Sequence, residues 1–274
     1  MHSFYVETAP EGPGDRSRLS RTESAHAARV LRLQPGNEVR ILDGEALYRA
    51  VLTKVDEQAC EVRILDTLPS PEAGVRITLW QGLPKADKLE RIVQKATELG
   101  VWDIWPVEME RSVAGKGAFR KRERLLRIAL EAAKQCGRAH VPQIWEACGF
   151  REALARLGTG AEAFDLVVVA WEEAKGLRLS EGVQRAFPKR TAPAGADVPD
   201  APPAPAGENL SNGKGRNLPH ILLVIGPEGG VDRAECEELQ ALGGVTATLG
   251  KRILRTETAG PCALAVILAA LGEM

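Results

Sequence analysis

Two short segments near the C-terminus combine flexible backbone with charged side chains. The first, residues 226–230, reads Gly-Pro-Glu-Gly-Gly and directly follows the apolar run 221–225. Glycines let a backbone approach a ligand closely and adopt positive φ, while Pro227 stiffens the loop. Asp232 and Glu235 then match the start of a helix. A strand, a loop and a helix in this order predict either a site for a nucleotide-like cofactor or an ordinary turn.

The second segment, residues 249–259, alternates basic and apolar side chains before a C-terminal apolar run. Its central members are Lys251, Arg252, Ile253, Leu254 and Arg255. This alternation favours a half-buried loop over a fully solvated basic turn. Because proline is tolerated in the first turn of a helix, Pro261 predicts that the C-terminal helix begins near Thr258, whose hydroxyl can cap it.

Residues 111–127 concentrate positive charge. The basic members are Arg111, Lys116, Arg120, Lys121, Arg122, Arg124 and Arg127, against the single acid Glu123. Such a stretch is typical either of contacts with nucleic-acid phosphates or of a solvated helix face. Downstream, Glu131, Gln135 and Arg138 recur at helical spacing. They are candidates to face one site, unless each is an ordinary surface group.

Two domains are expected to position these segments. In the first, a helix is predicted over about 24–33, and strands follow, with Asp43 and Gly44 forming a hairpin turn. Further strands are predicted at 48–55 and 60–65, so this domain is small and rich in β-structure. Residues 67–74 contain prolines and Gly74 and resemble a linker, which ends the first domain near residue 72.

From residue 75 onward, short apolar strands alternate with amphipathic helices, which predicts an α/β domain with a largely parallel sheet. Strands are expected at 75–80, 104–107, 164–170, 221–225 and 245–249. A helix is predicted over 87–99, with Asp87 near its start and one apolar face formed by Leu89, Ile92, Val93, Ala96 and Leu99. Residues 189–218, rich in Ala and Pro, are expected to form a disordered insertion.

The overall composition excludes several classes of protein. Lys and Arg number 36 against 37 Asp and Glu, so the net charge of −1 means that any basic surface must be local. The five cysteines are scattered without a C-x-x-C pair, which disfavours a disulfide framework or a zinc site. The N-terminus lacks the features of a signal peptide, and the apolar run 261–271 is too short to span a membrane. We therefore expect a cytoplasmic protein without a metal or a membrane partner.

These segments together resemble the RsmE-type 16S rRNA uracil N3-methyltransferases of the SPOUT superfamily, over nearly the whole chain. In the first domain the matching residues are His26, Val30, Leu31, Arg32, Asp43 and Gly44. In the second they are Lys85, Lys88, Glu90, Lys95, Glu98, Leu99, Gly100, Pro106, Glu131, Ala132, Ala133, Gln135 and Arg138, followed by 225–230 and 249–259. The last two motifs, in this order, are the most specific part of the resemblance. The insertion at 189–218 and Pro261 depart from the family pattern.

The resemblance implies a PUA-like RNA-binding domain over residues 1–72 and a SPOUT methyltransferase domain over 73–274. The second domain would be an α/β fold whose C-terminal segment forms a trefoil knot, an exception to ordinary chain topology. In the family the knot loops bind S-adenosylmethionine. The corresponding residues here are Gly226, Pro227, Glu228, Gly229, Leu249, Gly250, Ile253, Leu254 and Thr256.

The implied reaction is methyl transfer to N3 of a uridine, family position 1498, in 16S rRNA of the small ribosomal subunit. N3 becomes nucleophilic when its proton leaves, so the site must align it, accept the proton and stabilise the anion. Arg255 is expected to stabilise the anion. Glu257 or Glu228 is expected to accept the proton or to pair with the cofactor ammonium. The target base must be unpaired to present N3.

The expected partners are 16S rRNA or the small subunit, together with a second copy of the chain, because family members are homodimers. The predicted RNA-binding residues are Arg111, Arg120, Lys121, Arg122, Gln135 and Arg138. Gln135 or Arg138 is a candidate to act across the dimer interface. Three alternatives remain: another SPOUT activity such as ribose 2′-O methylation, a non-catalytic RNA-binding assembly factor, and a nucleotide-binding enzyme that does not act on RNA.

Overall fold

The computed structural model describes residues 1–85, 88–113, 115, 122–158, 164–188 and 218–274. The contacts among these residues separate two compact units. One comprises residues 1–72 and 130–141. The other comprises the described residues of 73–129 and 142–188, together with 218–274. No described helix is long and apolar enough to cross a membrane.

The first unit is built on a five-stranded sheet. Its strands are β1 (Ser3–Tyr5), β2 (Arg16–Arg18), β3 (Glu38–Leu42), β4 (Leu47–Lys54) and β5 (Glu61–Leu68). They lie in the order β1-β3-β4-β5-β2, antiparallel except for β1 beside β3. The Asp43 carboxylate accepts the N–H groups of Glu45 and Ala46 at 2.8 Å, and Gly44 has a φ of 100°. The predicted hairpin turn is thereby confirmed.

The helical segment of this unit begins earlier than predicted and changes from α-helix to π-helix along its length. Helix α1 (Arg21–Ala25) starts after Ser20, whose Oγ accepts the Glu23 N–H at 3.2 Å. A π-helical turn follows at His26–Val30. Ser24 is buried and its Oγ accepts the N–H of Cys60 at 2.8 Å. Ser24 therefore lies inside the helix and contacts the residue that precedes β5, whereas the prediction placed it at the helix start.

The second unit is an α/β fold with a seven-stranded sheet in which every strand pair is parallel, as the sequence predicted. Its strands are β6 (Arg76–Gly82), β7 (Asp103–Glu108), β8 (Gln143–Ile144), β9 (Cys148–Gly149), β10 (Leu166–Ala170), β11 (His220–Ile225) and β12 (Val245–Ala247). The order is β12-β10-β11-β6-β7-β8, with β9 also beside β7. β8 and β9 were not predicted, because two residues are too few to show an alternation of apolar and polar side chains.

Helices connect these strands. They are α2 (Lys88–Glu98), α3 (Arg122–Cys136), α4 (Phe150–Gly158), α5 (Leu179–Ala186), α6 (Arg233–Ala241) and α7 (Thr256–Ala270). Four members of the apolar face predicted for α2, namely Leu89, Ile92, Val93 and Ala96, are buried, whereas Leu99 follows the end of the helix and is only partly buried. Asp87, its predicted first-turn residue, and positions 189–217 of the predicted insertion lie outside the described residues.

The C-terminal helix α7 corrects a prediction. It begins at Thr256, two residues before the expected start, and Pro261 therefore lies in its second turn. Thr258 is exposed, whereas the Thr256 side chain is buried. The Thr256 Oγ1 donates to the Gly226 carbonyl oxygen at 2.7 Å and accepts the Gln81 Nε2–H at 2.9 Å. These contacts fix the helix start, despite the hydrogen bond that a proline inside a helix removes.

Candidate functional site

Three loops meet at one edge of the parallel sheet. Strands β12, β10 and β11 are neighbours and run in the same direction, so the loops that follow them lie side by side. Residues from the three loops, together with Lys88, Thr256 and Ala259 from the helices, line a cleft of about 280 Å³. The two segments that the sequence singled out, 226–230 and 249–255, therefore lie in a single cleft.

Every residue predicted to bind the cofactor lines this cleft: Gly226, Pro227, Glu228, Gly229, Leu249, Gly250, Ile253, Leu254 and Thr256. Arg255 lines it as well. Ile253 is the most exposed of the apolar members, with 84% of its surface accessible. The geometry brings the predicted residues together, and their role in cofactor binding remains a prediction.

The glycines of the first loop allow a tight fold. A Cβ atom on Gly226 would lie 2.6 Å from the carbonyl carbon of Gly230, which is closer than real Cβ contacts. Gly230 has a φ of 76°, a conformation that favours glycine. The Gly230 N–H donates to the Pro227 carbonyl oxygen at 3.0 Å, which closes the turn. Residues 226–230 therefore form one wall of the cleft, largely with backbone atoms.

Backbone groups of the second loop are available to a ligand. The N–H groups of residues 251–254 donate no hydrogen bond within the described part of the chain. Backbone N–H groups at a binding surface are strong hydrogen-bonding groups. A ligand with several hydrogen-bond acceptors can accept hydrogen bonds from groups of this kind.

Lys88 forms an ionic cluster between the first loop and helix α7. Its Nζ lies 3.0 Å from Glu228 Oε1 and 3.4 Å from Glu257 Oε2. Glu228 Oε1 also accepts the backbone N–H of Lys85 at 3.0 Å. The hydrogen bond to Glu228 raises the pKa of Lys88 above its ordinary value. Lys88 is therefore a cation that holds two carboxylates from different elements.

Glu228 and Glu257, the two residues predicted to accept the N3 proton, both form ion pairs with Lys88. Burial raises the pKa of Glu228, but the hydrogen bonds from the Lys85 N–H and from Lys88 outweigh it, so its pKa lies below the ordinary value. A lowered pKa makes Glu228 a weak proton acceptor near neutral pH. Glu257, within the described chain, is not among the residues that line the cleft. The role predicted for Glu257 in proton transfer or ammonium binding stays a prediction.

Arg255 differs from these groups. It is the N-cap residue of α7, is exposed and lines the cleft. Among the described residues, no carboxylate forms an ion pair with its guanidinium. An arginine without an acidic partner at the mouth of a cleft can stabilise a negative charge that develops on a bound molecule.

Arg111 is tied to the first loop. Its guanidinium donates to the Gly229 carbonyl oxygen at 3.1 Å and forms an ion pair with Asp232 at 3.1 Å. The buried Glu235 carboxylate accepts the N–H groups of Glu110 and Asp232, at 2.9 and 3.2 Å. The start of the basic stretch is therefore attached to the loop that lines the cleft.

The other predicted RNA contacts are dispersed. Arg122 donates to the Ile144 carbonyl oxygen at 2.7 Å, and Gln135 is exposed. Arg120 and Lys121 lie outside the described residues. Arg138 is only 5% exposed and forms an ion pair with Glu72 at 2.6 Å, whereas Gln135 and Glu131 are exposed. The role predicted for Arg138 at RNA or at a subunit interface stays a prediction.

Two side chains of the cleft were missed as functional candidates. Lys88 matched the family but carried no predicted role, and Glu172 follows β10 at the cleft. The only local signal for Glu172 is an acid directly after an apolar strand and Trp171. Nothing in the sequence spacing relates either residue to segments more than 50 positions away.

Comparisons with known proteins agree with this architecture. Residues 71–192 and 202–268 match the family model of an RNA methyltransferase domain, and residues 19–65 match that of an RNA methyltransferase PUA domain. A protein named Ribosomal RNA small subunit methyltransferase E from Bacillus subtilis is 36% identical, over 97% of this chain and 96% of the relative. A protein of the same name from Synechocystis is 31% identical, over 98% of this chain and 78% of the relative.

A solved structure is also similar along the whole chain. It is a Ribosomal RNA small subunit methyltransferase E from Neisseria gonorrhoeae bound to S-adenosyl methionine. It superposes with a TM-score of 0.75 at 27% sequence identity and covers 98% of this chain and 97% of its own. The likeness therefore extends over both units of the fold.

Proposed function

The chain belongs to the Ribosomal RNA small subunit methyltransferase E family, and from this premise we propose that it transfers a methyl group from S-adenosylmethionine to N3 of the uridine at family position 1498 in 16S rRNA. The observation that carries the proposal is the single cleft in which the free backbone groups of 251–254 lie beside Arg255.

The residues of the cleft fit the cofactor. The unbonded N–H groups of 251–254 suit the adenine ring, and the glycine-rich turn lets the ligand lie against backbone. When bound, S-adenosylmethionine supplies a methyl group activated by a positively charged sulfonium. The chain's own contribution is to hold the uracil N3 in line with that methyl group.

Arg255 stabilises the uracil anion in this proposal. Loss of the N3 proton leaves negative charge on the ring oxygens O2 and O4, and a guanidinium can donate two hydrogen bonds to such oxygens. Since no described carboxylate neutralises Arg255, its charge is available to the substrate. The positive charge also lowers the pKa of N3, because it favours the anion.

The N3 proton passes to solvent in this mechanism. Glu228 has a lowered pKa and is bonded to Lys88, while Glu257 does not line the cleft. Both carboxylates therefore serve to fix the loop and helix α7 through Lys88. Stabilisation of the anion by Arg255 then replaces a dedicated base, and the rate should rise with pH through the neutral range.

The RNA partner is 16S rRNA or the small subunit, in the cytoplasm. The contacts proposed for it are Arg111, Arg122, Gln135 and, outside the described residues, Arg120 and Lys121. Arg111 has 37% of its side chain accessible, so it can contact a phosphate while it remains bonded to the loop. RNA contacts at this position would be coupled to the cofactor loop through Gly229 and Asp232.

The knotted topology and the oligomeric state are also proposed, on the basis of the family to which the chain belongs. The C-terminal segment would form a trefoil knot, and two copies would form a homodimer. Helix α7 supports the second proposal, because Cys262, Ala265, Val266 and Ala269 are apolar and only partly buried or exposed. A second copy of the chain would cover this row of side chains.

Nucleoside mass spectrometry tests the proposed reaction. The purified protein, incubated with S-adenosylmethionine and small ribosomal subunits from a strain that lacks it, should produce 3-methyluridine. Formation of a 2′-O-methyl nucleoside instead would reject the N3 assignment in favour of ribose methylation. Cofactor binding without any methylated product would favour an assembly factor.

A further inference from the structure

The acidic side chains at the cleft are not equivalent. Within the described part of the chain, two carboxylates line it, Glu172 and Glu228. Glu228 is occupied, because Lys88 and the Lys85 N–H both bond to its Oε1. Glu172 is exposed and forms neither a hydrogen bond nor an ion pair with any described residue. The cleft therefore contains one carboxylate whose acceptor capacity is unused.

The position of Glu172 is set by the loop opposite. The Glu172 carboxylate lies directly against the Cα of Gly230, where any Cβ atom would overlap it. Its neighbour Trp171 is fixed by a hydrogen bond from Nε1 to the Val231 carbonyl oxygen at 3.1 Å. The carboxylate thus packs against the glycine-rich turn, at the wall of the cleft.

The adjacent residue provides a contrast. Glu173 forms an ion pair with Arg233 at 3.1 Å and does not line the cleft in the described structure. Two consecutive glutamates therefore have different surroundings: one has a cationic partner on helix α6, and the other faces the ligand space.

We propose that Glu172 is a cofactor-binding residue that accepts hydrogen bonds from S-adenosylmethionine. This inference rests on the proposed function. A carboxylate accepts strong hydrogen bonds from neighbouring hydroxyls or from an ammonium group. The cofactor carries both types of donor, in the ribose diol and in the α-ammonium of its amino-acid end. Glu172 is a positioning residue for the methyl donor and takes no part in the transfer itself.

Isothermal titration calorimetry with S-adenosylhomocysteine tests the proposal without turnover. Glu172→Gln keeps the size of the side chain but removes its charge, and Glu173→Gln is the matched control. We expect Glu172→Gln to weaken binding about tenfold, as for loss of a charged hydrogen-bond acceptor, and Glu173→Gln to change it less than about twofold. Equal thermal unfolding midpoints for the three proteins would show that the fold is retained.

A second ligand identifies the donor group. Methylthioadenosine contains the ribose but lacks the amino-acid end. If Glu172→Gln weakens its binding as much as that of S-adenosylhomocysteine, Glu172 binds the ribose diol. If its binding is unchanged while that of S-adenosylhomocysteine is weakened, Glu172 binds the ammonium. Either result supports the proposal.

Unchanged binding of both ligands by Glu172→Gln, with the wild-type protein binding normally, would overturn the inference and leave the proposed function intact. A wild-type protein that binds neither S-adenosylmethionine nor S-adenosylhomocysteine would overturn both. Steady-state kinetics gives an independent readout: Glu172→Gln should raise KM for the cofactor with little change in kcat, because the lost contact is made equally in the ground state and the transition state.

Discussion

At the scale of the residue, Arg255 provides the test of the proposed mechanism. We expect Arg255→Ala to lower kcat by about 10²–10³-fold, the range observed when one group that stabilises a developing oxyanion is removed. Cofactor affinity should change much less, since the backbone of 251–254 is retained. Single-turnover methylation with saturating S-adenosylmethionine measures the effect. Arg255→Lys should recover part of the rate, and an unchanged rate for Arg255→Ala would contradict the assignment.

Lys88 is expected to act through the two carboxylates that it holds. Lys88→Met leaves Glu228 and Glu257 without their shared cation, so the loop and the start of α7 should separate and cofactor binding should weaken. Lys88→Met combined with Glu228→Gln removes the excess charge and should bind the cofactor better than Lys88→Met alone. Calorimetry on the three proteins measures this. Equal affinity of the single and double variants would argue against a shared ionic role.

At the scale of the secondary-structure element, side-chain hydrogen bonds join the start of helix α7 to the parallel sheet. The Thr256 hydroxyl joins the start of α7 to the Gly226 carbonyl and to Gln81 on β6. Thr256→Val leaves these buried polar groups without a partner and should reduce the free energy of unfolding by about 1–3 kcal/mol. Urea denaturation measures this change in the free energy of unfolding. Thr256→Ser should be near wild type, as should Thr258→Val, because Thr258 is exposed.

A half-buried histidine at the start of β11 gives a prediction about pH. His220 on β11 lies 2.8 Å from the Thr78 hydroxyl on β6, with Phe164 against its ring. Burial and the charge of Arg76 lower its pKa below the ordinary value of 6.5, although Asp165 opposes this. The unfolded chain therefore binds a proton at His220 more readily than the folded one. The free energy of unfolding should fall as the pH drops below 6.5, towards the folded-state pKa.

Urea denaturation at a series of pH values between about 5 and 7.5 measures this dependence, above the range in which most carboxylates titrate. His220→Gln removes the titrating group and should flatten the profile. His2, which is exposed, provides the control: His2→Gln should leave the slope unchanged. An identical slope for wild type and His220→Gln would assign the pH dependence to other groups.

At the scale of the whole molecule, the partly exposed apolar row on α7 predicts assembly of two copies. Light scattering after size-exclusion chromatography should show a dimer for the wild-type protein at micromolar concentration. Val266→Glu places a charge in this row and should shift the protein towards the monomer, because an unpaired charge is costly in an apolar interface. A wild-type protein that is only monomeric would remove the homodimer proposal.

Much of this molecule is determined by local sequence. Apolar runs of four to seven residues separated by amphipathic segments predicted the parallel α/β unit, and the five strands inferred from them are all present. The Asp43–Gly44 turn could also be predicted from the sequence, because its hydrogen bonds join residues no more than three positions apart. The two late motifs lie in one cleft because both follow parallel strands, and their meeting at one site was an expectation from the family resemblance.

The tertiary structure decided which side chains are partners. Arg138 was expected to contact RNA, but Glu72, 66 positions away, buries and neutralises it. Lys88 engages both glutamates expected to carry out proton transfer, and Glu172 is left as the cleft carboxylate without a partner in the described chain. Periodicity fixes the face on which a side chain lies, whereas its charge state and availability depend on groups brought together from distant segments. For that reason the sequence determined the fold class and the place of the site, and the tertiary structure decided the role open to each charged residue.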